Sequence, residues 1–195
     1  MAMHEEPRLA QLTREPVLED IGRDSESVLV ARAKADPRAF GELYRLHYRA
    51  VGACIYRRVG DVHTSEDLAA EVFIAAFRAL RRFTPGPVPL RHWLLRIATN
   101  TVNRWSRRQR LAGWLPGTVR EEPTRGVETE GSDRLKACLR RLPGAQQAVI
   151  SLHYFEGLSV EEVGAAMGCS AGTVKSRLAR ARATLKELIG RGERP

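Results

Sequence analysis

The chain is poor in strand signals, long apolar runs, cysteine and the sequence signatures of catalysis, and each shortage excludes something. No apolar run approaches the length of a bilayer span. The first residues, MAMHEEPRLA, carry acids and no apolar core, so they do not read as a signal peptide. A cytoplasmic location follows as the expectation, with no membrane among the partners. Cysteine appears three times in 195 residues, as Cys54, Cys138 and Cys169, with no CxxC spacing. An odd number of scattered cysteines argues for free thiols. His47 and Cys54 fall on one predicted helix, but two ligands do not make a zinc site, so core packing is their expected role. His4, His63, His92 and His153 form no ligand spacing. There is no Gly-rich phosphate loop, carboxylate cluster or nucleophile–base signature. No enzyme activity, cofactor or metal is therefore expected.

What is abundant is positive charge and helical periodicity. Lys and Arg number 32 against 23 Asp and Glu, a net charge of +9. That balance points to a polyanion, though alone it would suit a membrane surface as well as nucleic acid.

Acid is missing from Ala171 to Lys186, inside the most informative stretch. Ser159-Val160-Glu161-Glu162 is a capping box that starts a helix. Gly168 falls where a C′ glycine is wanted, Cys169 completes a turn, and Ser170 is placed to cap a second helix. On that helix Val174, Leu178, Ala181 and Leu185 share one face. Thr173, Lys175, Ser176, Arg177, Arg180 and Arg182 fall elsewhere. A helix-turn-helix with an apolar stripe, a basic exposed side and a polar first turn suits the major groove of DNA. An amphipathic surface helix with solvated charges is the plainer alternative.

The remaining periodicity divides the chain. Residues 1–23 are polar, broken by prolines, and read as a mobile tail. Helices are expected over Ser25–Ala35, Ala39–Val59, from Thr64 or Ser65 to Phe83, and Leu90–Arg110. The third starts acidic (Asp61, Glu66, Asp67, Glu71) and ends basic (Arg78, Arg81, Arg82), which favours the helix dipole. Thr84 to Pro89 is a stiff proline loop. The fourth helix places Leu90, Leu94, Ile97, Thr101 and Trp105 on one side. Arg91, His92, Arg96, Asn100, Asn103, Arg104, Arg107 and Arg108 lie on the other. Flat and basic groups interleaved beside a rigid loop are what single-stranded nucleic acid needs, and a solvated basic helix is the alternative. Residues 111–132 lack a sustained period and read as a flexible linker, with Leu111, Trp114 and Leu115 apolar enough to dock on a surface. Helices Asp133–Leu142 and Gly144–Phe155 then lead into the helix-turn-helix. The expectation is an all-α protein of two small helical domains, 24–110 and 133–190, with tails 1–23 and 191–195.

Together these residues resemble the bacterial sigma factors of the extracytoplasmic-function (ECF, group 4) type. Gly172-Thr173-Val174-Lys175-Ser176-Arg177 with Arg180-Ala181-Arg182 is similar to the family signature. Ser65-Glu66-Asp67-Leu68 through Glu71-Val72-Phe73 resembles the segment that grips RNA polymerase. Trp93-Leu94-Leu95-Arg96-Ile97-Ala98-Thr99-Asn100 resembles the promoter-opening helix. The resemblance implies sigma domains 2 and 4, and a function in directing core RNA polymerase to promoters. It implies −35 contacts from Ser170, Thr173, Lys175, Ser176, Arg177, Arg180 and Arg182. It implies −10 binding and melting by Arg82, Arg91, His92, Trp93, Arg96, Asn100, Asn103, Arg104, Arg107 and Arg108. It implies docking on core polymerase, through the β′ clamp helices and β flap, by Asp67, Leu68, Glu71 and Phe73. The implied partners are core polymerase, promoter DNA both duplex and single-stranded, and an anti-sigma factor such as most relatives have. Three departures from the family pattern stand out: Ala70 where Gln is usual, Arg104 where an acid is frequent, and the pair Val163-Gly164 where Ile-Ala is usual. A stand-alone helix-turn-helix regulator explains the C-terminal stretch, but not the proline loop, the fourth helix or the acidic segment.

Overall fold

The computed structural model describes residues 23–85, 89–112 and 130–191. Every regular element among them is helical. The N-terminal tail, residues 86–88 of the proline loop, residues 113–129 of the linker with Trp114 and Leu115, and residues 192–195 lie outside the described residues.

The N-terminal half holds four helices: α1 (Arg23–Ala35), α2 (Phe40–Val59), α3 (Val62–Ala79) and α4 (Leu90–Ala112). Asp36 accepts from the Arg38 amide, and Pro37 opens a short 3₁₀ turn that leads into α2. Gly60 ends α2 in the left-handed region, at φ 81°, which only glycine adopts freely. Asp61 then caps α3 by accepting from the Thr64 amide at 2.7 Å. This corrects the expected start at Thr64 or Ser65. The carboxylate immediately after the glycine takes the cap, and Ser65 is buried and donates to the Asp61 carbonyl. A second 3₁₀ turn, Leu80–Arg82, closes α3. Val30, Leu43, Val51, Ile55, Leu68, Val72, Phe73, Leu90, Leu94 and Val102 build the N-terminal core. Tyr44, Tyr48 and Phe40 pack around Phe73.

The C-terminal half holds α5 (Glu130–Arg141), α6 (Gly144–Ile150), α7 (Val160–Met167) and α8 (Ala171–Arg191). The expected helix to Phe155 changes at Ser151 into a π turn, Ser151–Phe155. Gly157 follows at φ 72°. Leu139, Leu142, Val149, Leu152, Leu158, Val163, Val174, Leu178 and Ala181 form its core.

The two helical domains also pack on one another. α4 lies against α7, and α2 lies against α5 and the π turn. Leu95, wholly buried, and Cys54 belong to the C-terminal core although they come from the N-terminal half. This widens the buried stripe of α4 beyond the expected face. Leu95, Ala98, Thr99 and Val102 are buried with Leu90, Leu94 and Thr101, while Ile97 and Trp105 are half-buried. One face of α4 serves its own bundle and another meets α7.

Candidate nucleic-acid interface

The helix-turn-helix forms as its signals dictate. The Ser159 hydroxyl accepts from the Glu162 amide at 3.1 Å, and the Glu162 carboxylate accepts from the Ser159 amide at 2.8 Å. Gly168 ends α7 at φ 65°. The Ser170 hydroxyl accepts from the Thr173 amide at 3.2 Å and lies 3.0 Å from the Thr173 hydroxyl, so both residues of the first turn are held by capping. Val174, Leu178 and Ala181 are buried, which turns the other side of α8 outward. Lys175, Ser176, Arg180 and Arg182 are exposed and Arg177 is half-exposed. Arg180 donates to the Ser176 hydroxyl at 2.7 Å. Arg177 donates to the Cys169 sulfur at 3.4 Å. All seven −35 candidates lie on α8 or its cap, outside the buried stripe.

Gly164, where the resemblance led to the expectation of alanine, has a steric reason. A Cβ there would lie 2.7 Å from the Cys169 carbonyl oxygen. The turn passes too close for a side chain.

The −10 candidates divide. Asn100, Asn103, Arg104, Arg107 and Arg108 line, with Leu111, an open groove of about 430 Å³ along the end of α4. Arg82 and Arg96 are exposed. Trp93 is half-buried, its ring 4.9 Å from Phe83 and packed on the N-terminal core. Asn103 is fixed from below: Arg58, only 7% exposed, donates to its side-chain oxygen at 2.6 Å. Burial pushes the Arg58 guanidinium below its ordinary range. Arg91 and His92 instead face the C-terminal half. Arg91 donates to the Glu156 carboxylate at 2.6 Å, and His92 Nδ1 lies 3.2 Å from the Glu162 carboxylate.

Among the polymerase candidates, Asp67 and Glu71 are exposed on α3. Leu68 and Phe73 are 2% and 4% exposed and belong to the core. In the free chain these two side chains lie under α3, and Asp67 and Glu71 form its exposed surface. Glu71 lies 3.5 Å from Arg104 and 3.9 Å from Arg108. Arg104 thus bridges α3 and α4, with both side chains exposed, a geometry worth little stability.

Comparison with known proteins assigns both halves. The Sigma-70 region 2 family model matches residues 43–112, and the Sigma-70, region 4 family model matches residues 132–185. RNA polymerase sigma-H factor of Pseudomonas aeruginosa is 32% identical, over 86% of this chain and 95% of its own. The chain belongs to the ECF sigma factors. ECF RNA polymerase sigma factor SigE of Mycolicibacterium smegmatis is 35% identical over 78% of this chain; this chain spans 62% of its length. The solved structure of CnrH in complex with the cytosolic domain of CnrY has a TM-score of 0.62 at 30% identity, covering 85% of this chain and 97% of that one. The sigma factor RpoE of Bartonella quintana, in complex with the anti-sigma factor NepR, has a TM-score of 0.62 at 28% identity, covering 77% and 96%.

Sequence reasoning on this ECF sigma factor missed Arg57, Arg58 and Glu156. Arg57 and Arg91 both donate to Glu156, whose side chain is 3% exposed. All three lie on helical segments without a motif around them, and only the fold brings them together. Among the described residues no group of His, Cys, Asp and Glu is arranged to hold a metal, and no helix is long and apolar enough to cross a membrane.

Proposed function

We propose that this chain is a promoter-specificity subunit of RNA polymerase, cytoplasmic and without catalytic chemistry of its own. It binds core enzyme, directs it to promoters through −35 and −10 elements, and assists DNA melting. The observation that carries the reading is two separate basic surfaces on one chain: the exposed face of α8 and the Asn–Arg groove of α4. A stand-alone duplex-binding regulator needs only the first.

In this reading Lys175, Ser176, Arg177, Arg180 and Arg182, with Ser170 and Thr173 at the helix start, read duplex −35 DNA. Asn100, Asn103, Arg104, Arg107, Arg108, Arg96 and Arg82 hold the single-stranded −10 segment, with Trp93 offering a ring edge and Arg91 and His92 joining once freed. Asp67 and Glu71 dock on a basic surface of the polymerase β′ clamp helices, over the packing of Leu68 and Phe73. The C-terminal domain meets the β flap. The functional domains are 24–110 and 133–190. An anti-sigma factor is the second protein partner, by analogy with the relatives solved in such complexes.

The test is in vitro transcription with purified core polymerase, with and without this protein, on a pool of promoter fragments. Discrete new starts sharing −35 and −10 motifs are expected. Absence of starts together with tight duplex binding by the protein alone would overturn the reading.

A further inference from the structure

The −10 and −35 elements are named for positions about 25 base pairs apart. At a rise of ~3.4 Å per pair that is roughly 85 Å of duplex. A compact chain of this length has a radius of gyration of about 16 Å, and here α4 lies directly on α7. A molecule so folded cannot reach both elements. The contacts that hold the halves together are therefore made at the expense of promoter engagement.

One carboxylate is central to those contacts. Glu156, from the π turn, accepts from Arg57 of α2 and from Arg91 of α4. The Arg57 guanidinium also lies 4.8 Å over the Phe155 ring. Burial lowers the Arg57 pKa; Cys54 opposes this, and the neighbouring Arg91 charge acts in the same direction as burial. Two guanidiniums this close need an anion between them. The carboxylate does not satisfy them fully: Nε of Arg57 and Nε of Arg91 are buried with no acceptor among the described residues. A phosphate has more acceptor oxygens than a carboxylate and matches the same planar donors. Meanwhile the −35 face of α8 remains open to solvent.

We infer that Arg57 and Arg91 form an anion site that Glu156 occupies in the closed chain, and that takes a DNA backbone phosphate when the halves separate. Glu156 is thus an internal latch, standing where the nucleic acid must go. The identity of the anion rests on the promoter-binding reading above; the latch itself does not.

The experiment uses the full chain. Small-angle scattering gives its size, and fluorescence anisotropy gives its affinity for a labelled single-stranded oligonucleotide, with inorganic phosphate as competitor. Glu156→Gln is expected to enlarge the radius of gyration. It is also expected to tighten oligonucleotide binding, by about tenfold if the open form is one molecule in ten. Arg91→Glu sets two carboxylates against each other; it is expected to open the chain without the gain in affinity. Inorganic phosphate at concentrations that leave wild-type binding unchanged should not reverse the gain, since a free ion lacks the strand's other contacts; reversal would overturn assignment of the site to the DNA backbone. Unchanged scattering of both variants would overturn the latch. Opening by Glu156→Gln with unchanged affinity would overturn the phosphate site. If Glu156→Gln does not fold, Arg91→Glu decides the latch alone, because the Arg91 side chain is 42% exposed and tolerates replacement. Failure of core-dependent transcription beside an opening Glu156→Gln variant would remove the promoter reading and leave the latch standing.

Discussion

Gly164 offers a test in which local propensity and packing predict opposite signs. Helix propensity alone favours alanine over glycine by about 1 kcal/mol. The Cβ of Gly164→Ala would meet the Cys169 carbonyl oxygen at 2.7 Å, well inside ordinary contact. That oxygen belongs to backbone and has little freedom. The amides of Gly168 and Cys169 both donate to the Gly164 carbonyl, the latter at 3.0 Å. Relieving the clash means moving the turn away from the helix that fixes it. Overpacking of this kind costs about 1–3 kcal/mol, so a net loss of up to about 2 kcal/mol is expected once propensity is subtracted. For a chain of this size that is a fall in Tm of up to roughly 8 °C, against a rise if propensity alone decided. Gly41→Ala is the control. It is also helical, nothing lies within 4 Å of its added Cβ, and it should gain about 0.5–1 kcal/mol. Thermal unfolding followed by circular dichroism compares the two. A rise in Tm for Gly164→Ala similar to that for Gly41→Ala would refute the steric argument.

Three further outcomes are expected. Lys175→Ala or Arg177→Ala should weaken promoter use by about 1–3 kcal/mol per lost base contact, with assembly on core polymerase unchanged; equal transcription from every promoter would reject those roles. Asp67→Arg should weaken core binding in a pull-down, because it sets like charge against a basic partner, and normal assembly would reject the placement. Glu26 governs an acid limb. Burial raises its carboxyl, but His47, whose Nε2 lies 3.3 Å away, and the Leu90 amide at 3.1 Å hold it below its ordinary value. Its stabilisation is present above the unfolded carboxyl pKa and is lost as pH falls through the lower folded value. Glu26→Gln should flatten the stability–pH curve below about pH 5, and parallel curves for the two proteins would contradict this.

The local signals were legible because each depends on residues within one or two turns. Ser159 and Glu162 are three positions apart, Ser170 caps Thr173, and Gly60 and Gly168 stand at left-handed helix ends. The apolar stripe of α8 is likewise a local repeat. The start of α3 was misplaced because Asp61, Thr64 and Ser65 are all good caps, and only the turn at Gly60 selects among them. Gly164 read only as a departure from the family pattern because the atom that requires it, the Cys169 carbonyl, approaches across the turn.

What escaped was every interaction between the two helical domains. Leu95 was not among the apolar positions that the helical repeat picked out on α4, yet it completes the C-terminal core. Arg57 and Glu156 are 99 positions apart, and Arg91 and Glu156 are 65 apart. No periodicity reports such pairings. Arg91 and His92 illustrate the consequence. Their place on a basic helix face suggested free nucleic-acid contacts, while the fold sets each against a carboxylate of the other domain. Glu162 shows how one residue carries both kinds of information. One carboxylate oxygen closes its own helix at Ser159, and the other approaches His92. The first use is visible in four consecutive letters; the second exists only when α4 lies on α7. A charge pattern along a helix therefore reports which groups can bind DNA, and the tertiary pairing reports which of them must first be released.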